Sequence, residues 1–172
     1  MALNVGSVAP DFEVEAVSGS ARQKIRLSER TRNRHVVLAF YPANWTPVCS
    51  VEARHLSDAV SEFMACGAEV YAISTDHVYS HIAWQEHAIG KIDFPLLSDF
   101  YPHGEVAKSF DVLRTGSPLP GIPDRAAFVI ERETRKIVFA KTYHLGEQPD
   151  VNELLEAVRR IQTVKPMQAH SA

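Results

Sequence analysis

The side chains in this sequence best suited to redox or nucleophilic chemistry are the thiols of Cys49 and Cys66, and Cys49 stands where a fold can activate one. It follows a continuous apolar run over 35–41, then Pro42, then Thr46-Pro47. The run reads as a buried central strand. Threonine followed by proline reads as an N-cap and a first helical residue. Cys49 then lies in the first helical turn, where the helix dipole and N–H groups without intrahelical acceptors stabilise an anion. A thiol in such a place can ionise well below the free value of about 8.5, and the thiolate is the reactive form. Cys49 precedes Leu56 by seven residues, so the two share the helix face that turns toward the sheet. A sheltered nucleophile at the carboxyl end of a strand is a usual site position in α/β folds. The alternative is a small core hydrophobe, the commoner fate of a free cysteine. Spacing alone leaves both readings open.

The elements that must hold such a thiol can be followed along the chain. The helix opened by Thr46 carries Cys49, Leu56, Val60 and Phe63 at near-helical spacing and is expected to stop at Gly67. A strand over 69–74, a helix over 77–89, a short strand over 94–97 and a short helix over 104–110 follow. The Gly- and Pro-rich stretch 115–124 is expected as a loop, and 126–130 with 137–140 as a hairpin. A last helix begins at Asp150, with Glu153 three residues on in a capping-box-like arrangement and Val151, Leu154, Leu155, Val158 and Ile161 as its apolar stripe. Residues 1–34 are weakly patterned and are expected as a small hairpin against the main sheet; 165–172 are expected as a flexible tail. Alternating strand and helix patterns predict an α/β layered fold, in a single domain over 1–164.

Composition narrows the function classes. With 45% hydrophobic and 23% charged residues and a net charge of −3, the chain is ordinary globular material with no basic stripe for a nucleic acid. The short run Arg30, Arg32, Arg34 reads as a solvated turn before a strand. A chain this long buries roughly 70% of its unfolded surface and needs no disulfide or metal staple. Two cysteines are too few for a secreted disulfide scaffold. The first residues lack the basic and apolar regions of a signal peptide, and no run approaches the roughly 18 apolar residues of a membrane span. The expectation is a cytoplasmic protein in a reducing compartment, without membrane partners.

The segment Phe40-Tyr41-Pro42-Ala43-Asn44-Trp45-Thr46-Pro47-Val48-Cys49 resembles the peroxiredoxin active-site signature: a proline, three residues, threonine or serine, two residues and the peroxidatic cysteine. Ile73-Ser74-Thr75-Asp76 and Ser80-His81-Ile82-Ala83-Trp84 resemble that family's next strand and helix. Phe94-Pro95-Leu96-Leu97-Ser98-Asp99 and Arg125-Ala126-Ala127-Phe128-Val129-Ile130 resemble two later blocks, the second opened by the family's arginine. The family is the alkyl hydroperoxide reductase/thiol-specific antioxidant group, and the blocks span about 36–140. The resemblance implies a thioredoxin-like fold, a central mixed β-sheet flanked by helices, and a thiol peroxidase reducing hydrogen peroxide, organic hydroperoxides and peroxynitrite without a bound cofactor.

It also implies roles. Cys49 attacks a peroxide oxygen and becomes a sulfenic acid. Arg125 holds the thiolate and offsets charge moving onto the oxygens. The Thr46 hydroxyl orients the peroxide, and Pro42 covers the thiolate. Each has a plainer reading: helix cap for Thr46, strand terminator for Pro42, surface charge for Arg125. Glu52 is placed to orient Arg125, and Trp84 to back the site or simply to fill core. No cysteine follows Cys66, and Arg54 occupies the position five residues after the nucleophile where the bacterioferritin-comigratory group resolves. Cys66 is the remaining resolving candidate, in a place where relatives carry a leucine-like core residue. The stretch over 95–104 is especially similar to the one-cysteine alkyl hydroperoxide reductase E type, which implies reduction by an external thiol: a small thiol, a glutaredoxin-like protein or thioredoxin. A homodimer or higher homo-oligomer is also implied, with Trp45 and Phe100 as interface aromatics. The competing classes are a peroxide sensor or redox relay, a two-cysteine cycle through Cys66, and a holdase-like oligomer.

His77 and His81, four apart on one helix, lack a third ligand at a diagnostic spacing, so no metal is expected. The chain has no phosphate-binding glycine motif and no C-x-x-C. Tyr143 and His144 follow a strand end without a stated role.

Overall fold

The computed structural model describes residues 2–164, with side chains to Ile161; the expected tail at 165–172 lies outside the described residues. The elements run β1 (Glu13–Ser18), β2 (Ala21–Arg26), α1 (Leu27–Arg30), β3 (His35–Phe40), α2 (Pro47–Asp58), α3 (Val60–Ala65), β4 (Ala68–Ser74), α4 (Val78–Trp84), β5 (Leu96–Ser98), α5 (Glu105–Ser109), β6 (Arg125–Ile130), β7 (Ile137–Tyr143) and α6 (Val151–Val164). The strands form one mixed sheet in the order β2-β1-β5-β4-β3-β6-β7. β3, β4 and β5 are parallel; the hairpins β1–β2 and β6–β7 join antiparallel on either side.

Strand alternation sends β3 side chains to two cores. Val37 and Ala39 face Leu56 and Phe63 of α2 and α3, Trp84 of α4, and Leu154 and Val158 of α6. Val36, Leu38 and Phe40 face Val106, Ala107 and Phe110 at α5, where Phe40, Phe110 and Phe128 meet with ring centroids 5.1–5.8 Å apart. Every residue of β3 is buried, as its unbroken apolar run predicts. The sheet flanked by helices is the thioredoxin-like α/β architecture expected from the sequence.

Several boundaries differ from expectation. The helix expected to run unbroken from Thr46 toward Gly67 divides at Ala59, whose N–H bonds Leu56 O at 3.2 Å and Ser57 O, a tightened turn that reorients α3. α4 continues as a π-helical turn over Gln85–Ile89 before Gly90 (φ 74°) ends it. The N-terminal hairpin enters the main sheet by pairing β1 with β5. At α6, Asp150 Oδ1 accepts from Asn152 N at 2.9 Å, whereas Glu153 turns away to Lys141 Nζ at 3.0 Å, so the reciprocal half of a capping box is not made.

Candidate active site

β3 ends at Phe40, and the chain turns through Pro42, Asn44 and Trp45 before Pro47 starts α2. Proline suits that first position because its missing N–H has no acceptor to lose there. The first backbone bond of the helix runs from Ser50 N to Thr46 O at 3.0 Å, so the N–H groups of Val48 and Cys49 point out of the helix end without intrahelical acceptors. Cys49 is 1% exposed and belongs to the core between the sheet and α2.

The sheet register brings Arg125 to it. β6 runs antiparallel to β3 with Phe40 opposite Ala126, so Arg125 lies just beyond the carboxyl end of β3. Its Nη2 donates to Cys49 Sγ at 3.2 Å and to Leu145 O at 3.0 Å, and its Nη1 donates to Glu52 Oε2. Glu52 is three residues after Cys49 and shares its helix face, which aligns the carboxylate with the other side of the guanidinium. Arg125 is 1% and Glu52 4% exposed. A buried guanidinium between two acidic groups is held by hydrogen bonds on both sides, as a buried charge must be. Burial pushes the Glu52 carboxyl up to about 7, with Arg125 pulling the other way. Glu52 Oε1 and Arg125 Nε are buried without a hydrogen-bond partner among the described residues.

Thr46 has the extended backbone of an N-cap, but its side chain does not cap the helix: Oγ1 donates to Ala43 O at 3.0 Å. With its proton so committed, the hydroxyl is left as an acceptor. Pro42 is buried. Trp84 is fully buried and stacks on Tyr41, 5.6 Å between centroids and 22° between planes. Trp45 and Phe100 are about half exposed. Cys66 lies at the far end of α3, before β4. Two successive helices, about 25 Å of path at 1.5 Å per residue with the turn at Ala59 between them, separate Cys49 from Cys66, whereas a disulfide needs Cα atoms within about 7 Å.

Residue reasoning missed three contributors. Leu145 acts through its carbonyl, which no side-chain pattern reveals. Asn44 and His81 are buried polar groups on the loop and on α4, and each alone reads as surface or core. His77 caps α4 through Nδ1 and stacks on Tyr79, and His81 Nε2 is taken by Leu97 O at 2.9 Å.

The sequence and the fold that hold this site have counterparts among known proteins. The AhpC/TSA family model matches residues 5–139. The chain belongs to this family, the peroxiredoxins. It is 35% identical over 166 residues to the chloroplastic 2-Cys peroxiredoxin BAS1 of Arabidopsis thaliana, covering 94% of this chain and 60% of that protein. It is 35% identical over 167 residues to the chloroplastic 2-cysteine peroxiredoxin of Chattonella marina var. antiqua, covering 94% and 82%. The reduced 2-Cys peroxiredoxin of Plasmodium vivax superposes with a TM-score of 0.84 at 29% identity, over 92% of this chain and 82% of that one. AhpC of Enterococcus faecalis gives 0.84 at 28% identity, over 93% of each. The chain thus spans about 60% of the length of the Arabidopsis protein. Among the described residues, no helix of this peroxiredoxin is long and apolar enough to cross a membrane.

Proposed function

We propose that this peroxiredoxin is a thiol peroxidase in which Cys49 reduces hydrogen peroxide and organic hydroperoxides, and that it turns over by a one-cysteine cycle. The observation that carries the reading is the contact of Arg125 Nη2 with Cys49 Sγ at 3.2 Å in a buried site. The Cys49 thiolate attacks one peroxide oxygen. The S–O bond forms as the O–O bond breaks, sulfur loses two electrons, and the departing oxygen takes a proton to leave as water or an alcohol. Arg125 faces the charge as it passes from sulfur to the oxygens. The Thr46 hydroxyl oxygen accepts a hydrogen bond from the peroxide O–H, Pro42 shields the thiolate, and Glu52 holds the guanidinium in place. An external thiol then displaces water from the Cys49 sulfenic acid, giving a mixed disulfide, and a second thiol releases Cys49 as the thiol with a disulfide as product.

The one-cysteine cycle, as in the alkyl hydroperoxide reductase E type, is supported by the separation of Cys49 and Cys66 at opposite ends of α2–α3. A two-cysteine cycle is the second reading, favoured by the names of the 2-Cys relatives. A small thiol, a glutaredoxin-like protein or thioredoxin serves as reductant. Two free cysteines fit a reducing cytoplasm. Exposed Tyr79, Phe100 and Tyr101, with Tyr79 and Phe100 both packed on His77, support a homodimer through this aromatic face, and Trp45 is a further exposed aromatic for the interface.

Stopped-flow Trp fluorescence with mass spectrometry tests the reading. Cys49→Ser is expected to abolish a fast phase with peroxide, while Cys66→Ser reaches the sulfenic acid and recycles with added thiol. A Cys49–Cys66 disulfide in wild type, with Cys66→Ser stalled, would replace the one-cysteine cycle. A Cys49 no faster than a free thiol would end the peroxidase reading.

A further inference from the structure

Behind the loop that carries Pro42 and Thr46 lies a buried polar cluster that the contact of Cys49 with Arg125 does not use. Asn44 is 4% exposed, and its side-chain amide and backbone N–H are all engaged. Its Oδ1 accepts from Tyr41 Oη at 2.7 Å. Its Nδ2 lies 3.1 Å from Ser80 Oγ and 3.0 Å from His81 Nδ1, and its N–H donates to Asp76 Oδ2 at 3.0 Å. His81 is fully buried, with Nε2 2.9 Å from Leu97 O. A carbonyl only accepts, so Nε2 carries the proton and Nδ1 accepts from Asn44. Burial keeps the ring neutral, its pKa lowered to about 4.

The next residue, Trp45, has φ 71°. A bulky side chain in the left-handed region persists only where its surroundings impose it. The Trp45 side chain is half exposed and does not hold itself there. The restraint comes from its neighbours: Asn44 in the cluster on one side, and Thr46 on the other, whose carbonyl receives both Ser50 N and Ser50 Oγ at 3.0 and 2.9 Å.

We propose that Asn44 is a positioning residue for peroxide reduction. Anchored to α4 through Ser80 and His81 and to the end of β3 through Tyr41, it imposes the turn at Trp45 that sets the Thr46 hydroxyl and the first turn of α2 opposite Arg125. This rests on the reading of Cys49 as the peroxidatic thiol. The amide is required because the site needs an acceptor toward Tyr41 and a donor toward a neutral imidazole.

That requirement makes the test specific. In Asn44→Asp the second carboxylate oxygen faces Nδ1, so the bond returns only when His81 carries protons on both nitrogens. The titratable groups around the ring are Tyr41 at the end of β3 and Asp76 and His77 at the start of α4, while β5 offers only the Leu97 carbonyl. The full chain is mixed with hydrogen peroxide, and Cys49 oxidation is followed by stopped-flow fluorescence and mass spectrometry across pH. Asn44→Ala is expected to react on the order of 100-fold more slowly, the cost of a small misplacement, while iodoacetamide, which needs no peroxide alignment, still alkylates Cys49. Asn44→Asp is expected to keep the rate at low pH and lose it along a new alkaline limb absent from wild type. If Asn44→Ala does not fold, the pH profile of Asn44→Asp decides. Wild-type rates in Asn44→Ala, or a wild-type profile in Asn44→Asp, would overturn the proposal. A slow wild type would instead remove the peroxidase reading beneath it.

Discussion

Arg125 reaches three acceptors through its two terminal nitrogens: the Glu52 carboxylate, the Cys49 sulfur and the Leu145 carbonyl. Only a planar fork can satisfy three directions at once, since a lysine ammonium is a compact charge on a flexible stem. Arg125→Lys keeps the charge and loses the geometry. The second-order rate with hydrogen peroxide is expected to fall on the order of 100-fold, comparable to removing one donor from a preorganised oxyanion site. Stopped-flow fluorescence measures it, and a wild-type rate would show that charge alone suffices. At this scale the sequence was legible where a residue type announces itself. A cysteine behind threonine and proline could be picked out from the residues themselves, whereas Arg125 and its pairing with Glu52 were legible only through the family resemblance. The Asn44–His81 bond could not be picked out, because it joins residues 37 apart whose polar side chains acquire meaning only once buried together.

The elements place these residues more than their own chemistry does. Antiparallel pairing of β6 on β3 delivers Arg125 to Cys49 from 76 residues away. Both strands are buried throughout and were readable as unbroken apolar runs rather than by alternation. The break at Ala59 was not readable, because Ala, Val and Ser carry no stop signal and the turn is fixed by how α3 meets the sheet. The N-terminal hairpin was expected against the main sheet, but its pairing with β5 was hidden, since Glu13, Glu15, Arg22 and Lys24 dilute its alternation. α5 offers a test of an element's dependence on one side chain. It spans Glu105–Ser109, and Asp99 takes the N–H groups of Val106 and Ala107 at 3.0 and 2.9 Å from five residues before Gly104. So short a helix has little stability of its own. Asp99→Ala is expected to destabilise the protein by about 1–2 kcal/mol, the upper range for a lost cap, read as a lower urea midpoint. An unchanged midpoint would mean that packing of Val106 and Ala107 against Phe110 holds the helix alone.

Over the whole molecule, the buried ionisable groups set a pH dependence of opposing slopes. Burial raises Glu52 from 4.5 to about 7 against the pull of Arg125. As pH climbs through that window the unfolded chain releases a proton that the folded chain keeps, so Glu52 removes stability as pH rises. Asp99, raised by burial from 3.8 to about 6, acts in the same sense. His81, lowered by burial from 6.5 to about 4, acts in the other: below 6.5 the unfolded chain binds a proton that the folded chain refuses, so stability falls as pH drops. Between about 4.5 and 6 the His81 slope offsets one of the two carboxyl slopes, so stability still falls as pH rises, and between about 6 and 6.5 it offsets that of Glu52 alone. Glu52→Gln isolates one of them. Its stability relative to wild type is expected to grow as pH rises from 4.5 to 7 and to stay level beyond, by up to about 3 kcal/mol over the full window at 1.36 kcal/mol per pKa unit. Urea midpoints taken at intervals across that range measure the difference. An offset that does not change with pH would mean that Arg125 keeps Glu52 ionised throughout, and the carboxylate would then stand as a permanent charge beside the Cys49 thiol rather than as a proton store.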